Sequence, residues 1–162
     1  MPEVSIYTDG ACIGNPGPGG YGAILVYGSK RKELSGGFRL TTNNRMEIMA
    51  VISALSALNR KCSVTVYSDS RLVVDSMSKG WAKKWRINGW KRSKDEPALN
   101  ADLWEKLLGL CEEHRTRFVW VEGHSGHTEN ERCDSLSKDA ARNGNLPPDK
   151  IYEDKRANAV GC

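Results

Sequence analysis

The sequence has no run approaching about 18 consecutive apolar residues, which is the length that a membrane-spanning helix requires. Its N-terminus, Met1-Pro2-Glu3-Val4-Ser5, lacks the basic stretch followed by an apolar stretch that is typical of a signal peptide. The five cysteines are scattered without a C-x-x-C pair, so they indicate neither a disulfide framework nor a zinc site. The 162 residues therefore predict one globular domain in a reducing cytoplasm, without a membrane partner.

Acidic residues are absent between Lys79 and Lys94, although the net charge of the whole chain is only +4. This basic segment, residues 79–94, also contains Trp81, Trp85 and Trp90. Cations interleaved with aromatic rings suit a phosphate backbone and stacked bases. The pattern favours nucleic acid binding, but a solvated helix face anchored to the core by its tryptophans would explain it equally well.

The hydrophobic pattern predicts strands at residues 3–9, 21–27, 32–40, 63–68 and 117–122. It predicts helices from the caps at 41–44 to about 58, and at 70–78, 82–88, 101–114 and 128–142. Short turns join the first three strands, and helices join the later ones. The order predicts an α/β fold with a mixed five-stranded sheet, antiparallel in its first three strands and parallel in the later ones.

Three local features complete the predicted organisation. The glycine-rich stretch at residues 14–20 is expected to be a turn or loop. Thr128-x-x-Glu131 has the spacing of a capping box for the last helix. Residues 1–144 are predicted to form the folded domain, and the polar residues 145–162 a loose, flexible tail.

Two predicted strands end in almost the same way, as I-Y-T-D-G at residues 6–10 and as V-Y-S-D-S at residues 66–70. If the strands are parallel neighbours about 4.8 Å apart, Asp9 and Asp69 face each other and repel unless a cation or a proton intervenes. Magnesium prefers such oxygen ligands, and Gly10 leaves room for its approach. Alternatively, both aspartates merely begin the turns that follow the strands.

Two further carboxylates are predicted to lie near the same edge of the sheet, because Glu47 and Asp134 stand in the first turns of helices. Four carboxylates from four segments are what a two-metal phosphoryl-transfer site needs. The alternative for Glu47 and for Asp134 is an acidic side chain that only complements a helix dipole.

Several motifs together resemble bacterial ribonuclease HI, the type 1 ribonuclease H family, and they occur in the family's order over roughly residues 3–142. They are Y-T-D-G-A-C-I-G-N-P-G-P-G-G-Y-G-A-I-L, T-T-N-N-R-M-E, Y-S-D-S, G-W-x-x-x-W-x-x-x-G-W-K, D-L-W and V-x-G-H-S-G-H-x-x-N-E-R-C-D. The resemblance implies an endonuclease that cuts the RNA strand of an RNA–DNA hybrid and leaves a 3′-hydroxyl and a 5′-phosphate.

The resemblance also implies a catalytic set and a cofactor. It implies two Mg²⁺ ions per active site with substrate, for which Mn²⁺ can substitute. A monomer is expected separately, because the predicted fold needs no partner. The catalytic positions it implies are Asp9, Glu47, Asp69, Asp134 and the loop histidine His124. The same four carboxylates, with Gly10, are the implied metal site.

The resemblance further assigns contacts to the two strands of the hybrid. Residues expected along the minor groove, where 2′-hydroxyls distinguish RNA from DNA, are Cys12, Gly14, Asn15, Asn43, Asn44 and Arg71. Residues expected to hold the DNA strand are Thr42, Trp81, Lys83, Lys84 and Trp85, with Trp90 as a further contact. Asn43 and Asn44 could instead be only helix caps, and Trp104 and Trp120 are interpreted as core anchors.

Three residues depart from the pattern of the family. Arg71 replaces the usual glutamine, Lys84 replaces an asparagine, and Glu122 stands where a lysine often precedes G-H. The first two changes add positive charge, whereas Glu122 adds an acid near the site. The alternatives to hybrid cleavage are another polynucleotidyl transferase of the same fold and a hybrid-binding module without catalysis.

Overall fold

Five strands form one sheet in a computed structural model of the chain, which describes residues 1–123 and 126–159. The strands are β1 (Glu3–Cys12), β2 (Gly17–Tyr27), β3 (Lys30–Thr41), β4 (Ser63–Ser68) and β5 (Arg115–Trp120), in the spatial order β3-β2-β1-β4-β5. β1, β2 and β3 pair antiparallel, whereas β4 pairs parallel with both β1 and β5. The predicted fold class is therefore confirmed.

Six helices accompany the sheet within the described residues: α1 (Asn43–Ser56), α2 (Arg71–Ser78), α3 (Trp81–Ile87), α4 (Ala101–Glu112), α5 (Thr128–Ala141) and α6 (Lys150–Ala159). Thr42 caps α1 by accepting a hydrogen bond from the Arg45 amide. The predicted capping box at Thr128 is wrong, because α5 already begins at this residue and His127 is its N-cap. None of the described helices has the length and apolar character needed to cross a bilayer.

The two faces of the sheet are covered by different helices. On one face α1 packs against β1 and β2, and α4 packs against α1. Ile6 and Val66 of the sheet are completely buried there, together with Ile48 and Val51 of α1. α5 packs against β1, β2 and β3. The carboxyl ends of β1 and β4 thus lie between the first turns of α1 and α5.

The prediction of a loop over residues 14–20 is only partly right, because β2 already begins at Gly17. The glycines of β2 serve close packing rather than a turn. A Cβ atom at Gly20 would lie 2.2 Å from the Ser137 carbonyl oxygen, and one at Gly22 would lie 2.7 Å from that of Cys133. These glycines allow α5 to approach the sheet closely. The hydrophobic periodicity of the sequence does not show this contact, because α5 is far along the chain.

The residues expected to form a loose tail make specific contacts with the sheet. The Arg39 amide donates a hydrogen bond to the Pro147 carbonyl, and the Arg39 guanidinium pairs with Glu153 of α6. Asp149 is buried. Residues 147–159 are therefore not the loose tail that the sequence predicts. Ion pairs with residues far along the chain attach them, and such pairs leave no hydrophobic pattern in the sequence. The domain boundary at residue 144 stays a prediction, and residues 160–162 lie outside the described part.

Candidate active site

Asp9 and Asp69 lie side by side because β1 and β4 are parallel and in register, with Thr8 opposite Ser68. Glu47 approaches them from α1, and ligand oxygens of Asp9, Glu47 and Asp69 all lie within 4.8 Å of one another. The convergence that the repeated strand ending predicts is therefore present in the fold.

Gly10 of β1 lies against the first turns of α1, close to Glu47. Its amide donates hydrogen bonds to Asp9 Oδ1, at 2.9 Å, and to Glu47 Oε1. A Cβ atom here would lie 2.5 Å from the Glu47 nitrogen, so any larger residue would push α1 away. Glu47 is 4% exposed, and its Oε2 atom has no hydrogen-bond partner among the described residues.

Burial and neighbouring negative charges raise the pKa values of Asp9 and Glu47. Burial raises the pKa of Asp9 to about 7, with the charges of Asp69 and Asp134 adding to the rise and hydrogen bonds with Glu47 and Gly10 opposing it. Burial also raises the pKa of Glu47 well above its usual value, and the neighbouring Asp9 carboxylate raises it further. A bound cation would relieve both effects.

Asp134, on the second turn of α5, lines the same cleft of about 400 Å³ as Asp9, Glu47 and Asp69. Its carboxylate pairs with Lys138 at 3.0 Å, one turn further along the helix. His124 lies outside the described residues, so its expected role stays a prediction.

The donor set fits magnesium. All of the converging ligands are hard carboxylate oxygens, and no cysteine or histidine belongs to the cluster found among the described residues. The Oε2 atom of Glu47 is buried without a hydrogen-bond partner among the described residues, so a bound cation, or a proton on the carboxyl group, has to offset the cost of its burial.

The residues expected at the minor groove surround this cleft. Asn43, Asn44 and Arg71 line it directly. The side chain of Asn15 accepts a hydrogen bond from the Asn43 amide at 3.0 Å, which ties the loop before β2 to the start of α1. Within the same loop Gly14 adopts a positive φ of 77°.

Cys12 is half-buried at the end of β1, directly before the loop that contains Gly14 and Asn15. Its thiol contacts the carbonyl oxygens of Gly17 and Thr41 at 3.5 and 3.4 Å. Burial raises the pKa of the thiol, so the group is a neutral donor here rather than a reactive thiolate. The contacts connect β1, β2 and β3 beside the cleft.

The basic segment forms a separate surface around α3. Trp81 and Trp85 line a cavity of about 230 Å³, and Trp85 packs against Trp104 with ring centroids 5.9 Å apart. Trp90 is half-buried against the core. Trp85 and Trp90 therefore also have the anchoring role that the sequence left open, and Trp104 is the buried core anchor that the sequence predicts.

Not all cations of the basic segment are available to a ligand. Three of them pair with nearby acids, as Lys79–Asp75, Arg86–Glu112 and Arg92–Glu96. Lys83 and Lys84 are exposed and form no ion pair within residues 1–123 and 126–159. The pairing reduces the positive potential of this surface below what the sequence suggests.

Trp120 is a site residue that the sequence reasoning missed. It is half-buried rather than a pure core anchor, and its indole N–H donates to the Asp69 carbonyl oxygen at 3.1 Å. The Arg71 guanidinium lies 3.8 Å above the centre of its ring. Its position at the end of β5, beside the strand that carries Asp69, is the signal that could have indicated this role.

The carboxylates of Asp9, Glu47 and Asp69 form a cluster that could hold a divalent metal ion, as in metal-dependent enzymes that act on phosphodiesters. The family model described as RNase H matches residues 1–142. Ribonuclease H of Rippkaea orientalis is 63% identical over 153 residues, which cover 94% of each chain. Ribonuclease HI of Synechocystis sp. is 59% identical over 142 residues, covering 87% of this chain and 89% of that one.

A solved structure agrees with these relatives. The crystal structure of LC11-RNase H1 in complex with an RNA/DNA hybrid matches with a TM-score of 0.62 and 29% identity, covering 85% of this chain and 96% of that one. The chain therefore belongs to the ribonuclease H family, whose members are metal-dependent endonucleases.

Proposed function

We propose that this ribonuclease H hydrolyses the RNA strand of RNA–DNA hybrids in the cleft between β1, β4, α1 and α5, leaving 3′-hydroxyl and 5′-phosphate ends. The observation that carries the proposal is the cluster of Asp9, Glu47 and Asp69 with its unpartnered buried oxygen. The hybrid bound to the related LC11-RNase H1 supports the substrate. The proposed enzyme is a cytoplasmic monomer.

The residues proposed to hold two Mg²⁺ ions, or Mn²⁺ in their place, are Asp9, Glu47, Asp69 and Asp134, with Gly10 beside them. Bound ions of this kind lower the pKa of an attacking water and stabilise charge on the leaving oxygen. The chain contributes the fixed geometry, because the Gly10 amide holds one oxygen each of Asp9 and Glu47. Asp9 would hold a bound ion together with its neighbours Glu47 and Asp69.

His124 is proposed as the proton carrier or as an aid to product release. The family pattern supports this assignment, and so does its place in the sequence shortly before α5, the helix that carries Asp134. An imidazole is suited to such a role because it titrates near neutral pH.

Recognition of the RNA strand is proposed to fall to the rim of the cleft. Asn43, Asn44 and Arg71 line it beside the carboxylates. The hydrogen bond from the Asn43 amide to the Asn15 side chain holds the loop with Gly14, which follows Cys12 of β1, next to the start of α1. The DNA strand would follow the α1 start and the α3 surface. The residues proposed for it are Thr42, Trp81, Lys83, Lys84, Trp85 and Trp90.

We expect magnesium-dependent cleavage of a labelled RNA–DNA hybrid, confined to its RNA strand. Single-stranded RNA, RNA duplex and DNA duplex of the same sequence should stay intact. Asp69→Asn removes one ligand charge and should lower the rate at least about 1,000-fold. Hybrid binding without cleavage, in both magnesium and manganese, would instead identify a binding module without catalysis.

Replacing Lys83 and Lys84 together by alanine should raise KM for the hybrid several-fold and leave kcat nearly unchanged. Both lysines are exposed on α3 and do not belong to the lining of the carboxylate cleft, and the proposal assigns them to phosphates of the DNA strand. The slope of log KM against log salt should fall by roughly 0.9 per lost contact. Arg86→Gln is the matched control, because Glu112 already neutralises Arg86. An unchanged salt slope in the double variant would refute the assignment.

A further inference from the structure

Trp120, the last residue of β5, reaches the turn that carries Asp69. Ser68 lies opposite Trp120 in the β4–β5 ladder, and the Val121 amide donates to the Ser68 carbonyl oxygen at 2.9 Å. The indole N–H then donates to the next carbonyl oxygen, that of Asp69, at 3.1 Å. The side chain therefore extends the strand pairing by one residue, beyond the point where β4 ends.

Two serines also stabilise the turn that follows β4, by hydrogen bonds within residues 68–73. The Ser68 hydroxyl accepts a hydrogen bond from the Ser70 amide at 3.0 Å, and the Ser70 hydroxyl accepts one from the Val73 amide at 3.2 Å. These bonds fix the amides that follow Asp69. The indole adds a constraint on the carbonyl of Asp69 itself, and it comes from the neighbouring strand.

The other contact of Trp120 is with the substrate side of the cleft. The Arg71 guanidinium lies 3.8 Å from the centre of the indole ring, in cation–π geometry. A guanidinium stacked by its face keeps its N–H edge available for hydrogen bonds. Arg71 is exposed and lines the cleft, so the ring holds a cation where a substrate would pass.

We infer that Trp120 is a positioning residue that fixes Asp69 and Arg71 relative to each other through one side chain. This inference rests on the proposed function, because it takes Asp69 as a metal ligand. Residues that hydrogen-bond to a metal ligand and fix its orientation affect the metal affinity, although they do not contact the metal. Through Trp120, β5 takes part in the site, although it contributes no carboxylate to the cluster found among the described residues.

Trp120→Phe separates the two contacts, because phenylalanine keeps a ring for Arg71 and loses the N–H donor. In a magnesium titration followed by NMR, the affinity of this variant should fall roughly 10-fold, with a fall in kcat and little change in KM. Arg71→Met should have the opposite effect on these quantities. The KM for the hybrid should rise about fivefold, whereas the magnesium affinity should stay unchanged. A Trp120→Phe variant with wild-type magnesium affinity would overturn the inference.

Phe118→Leu is the matched control for a purely structural effect. Phe118 lies two residues earlier on β5 and packs against the core, so this change weakens the same strand without altering a contact of Asp69 or Arg71. Its magnesium affinity should stay at the wild-type value even if Tm falls as much as in Trp120→Phe. Equal losses of affinity in both variants would show that Trp120 only stabilises the strand.

Hydrogen exchange of the metal-free protein distinguishes a failure of this inference from a failure of the proposed function. The amides of Ser70 and Val73 should exchange about fivefold faster in Trp120→Phe than in the wild type, because the turn has lost one hydrogen bond. Unchanged exchange would overturn the inference whatever the protein cleaves. Accelerated exchange in a protein that does not cleave hybrids would overturn the proposed function alone.

Discussion

Replacing Asp9 by asparagine is expected to abolish cleavage of the hybrid and, at the same time, to stabilise the metal-free protein. Turnover should fall at least about 1,000-fold, because the carboxylate central to the cluster is lost. At pH 8, in the presence of a chelator, the free energy of unfolding should rise by about 1–3 kcal/mol, since asparagine carries no charge beside Glu47 and Asp69.

The pH dependence of this stabilisation follows from the raised pKa of Asp9. Its folded-state value is about 7 against an ordinary value of 3.8, so the folded protein holds a proton that the unfolded chain has released. The stability of the metal-free wild type therefore falls as the pH rises from about 4 to about 7. The advantage of Asp9→Asn should be small near pH 4 and complete above pH 7.

Thermal unfolding with and without magnesium checks this prediction. Magnesium should raise Tm of the wild type, because an ion that binds only the folded state stabilises it, and should raise that of Asp9→Asn far less. Asp139→Asn is the control, since this aspartate is exposed on α5 and should change Tm little under either condition. An Asp9→Asn variant less stable than the wild type at pH 8 without metal would contradict the electrostatic argument.

Replacing Asp149 by asparagine is expected to lower the free energy of unfolding by about 3–4 kcal/mol. Asp149 is buried and binds the Arg45 guanidinium at 2.7 and 3.0 Å, while the Thr41 hydroxyl donates to it at 2.7 Å. Arg45 is 3% exposed and, within residues 1–123 and 126–159, would keep only Asp102 as a charged partner. Removing one partner from a buried ion pair leaves a poorly compensated charge, which is costly.

For a chain of this size the loss corresponds to a decrease in Tm of roughly 6–15 °C. Asp154→Asn is the matched control, because Asp154 lies on α6 and forms an exposed ion pair with Lys150. Deleting residues 145–162 should cost at least as much stability as Asp149→Asn, while turnover of the folded fraction stays near normal. Equal Tm values for the Asp149 and Asp154 variants would show that the buried pair contributes nothing measurable.

The elements that the sequence predicts well are those whose signals are local. The strand over residues 63–68 has the predicted bounds, because alternation along a half-buried strand is visible in six residues. The start of α1 follows from Thr42, whose hydroxyl forms the cap bond. The approach of Asp9 to Asp69 was also predictable, since two parallel strands in the same phase bring matching positions together.

The elements that it predicts poorly depend on partners far along the chain. The glycines of β2 look like a turn because the sequence does not show α5 packed against them. Residues 147–159 look like a loose tail because they are attached by the ion pairs Arg45–Asp149, just before α6, and Arg39–Glu153, within α6, and not by an apolar stripe. Ion pairs of this kind have no period, so neither helical nor strand periodicity identifies them.

The sequence by itself determined the family and the order of the elements from β1 to α5, and it predicted four candidate carboxylates, because motifs and periodicity belong to neighbouring residues. Only the tertiary structure decided that Glu47 is buried with an unpartnered oxygen and that Trp120 supports Asp69. Burial and hydrogen-bond partners depend on which distant segments the fold brings together, and these surroundings set the charge and the geometry of the site.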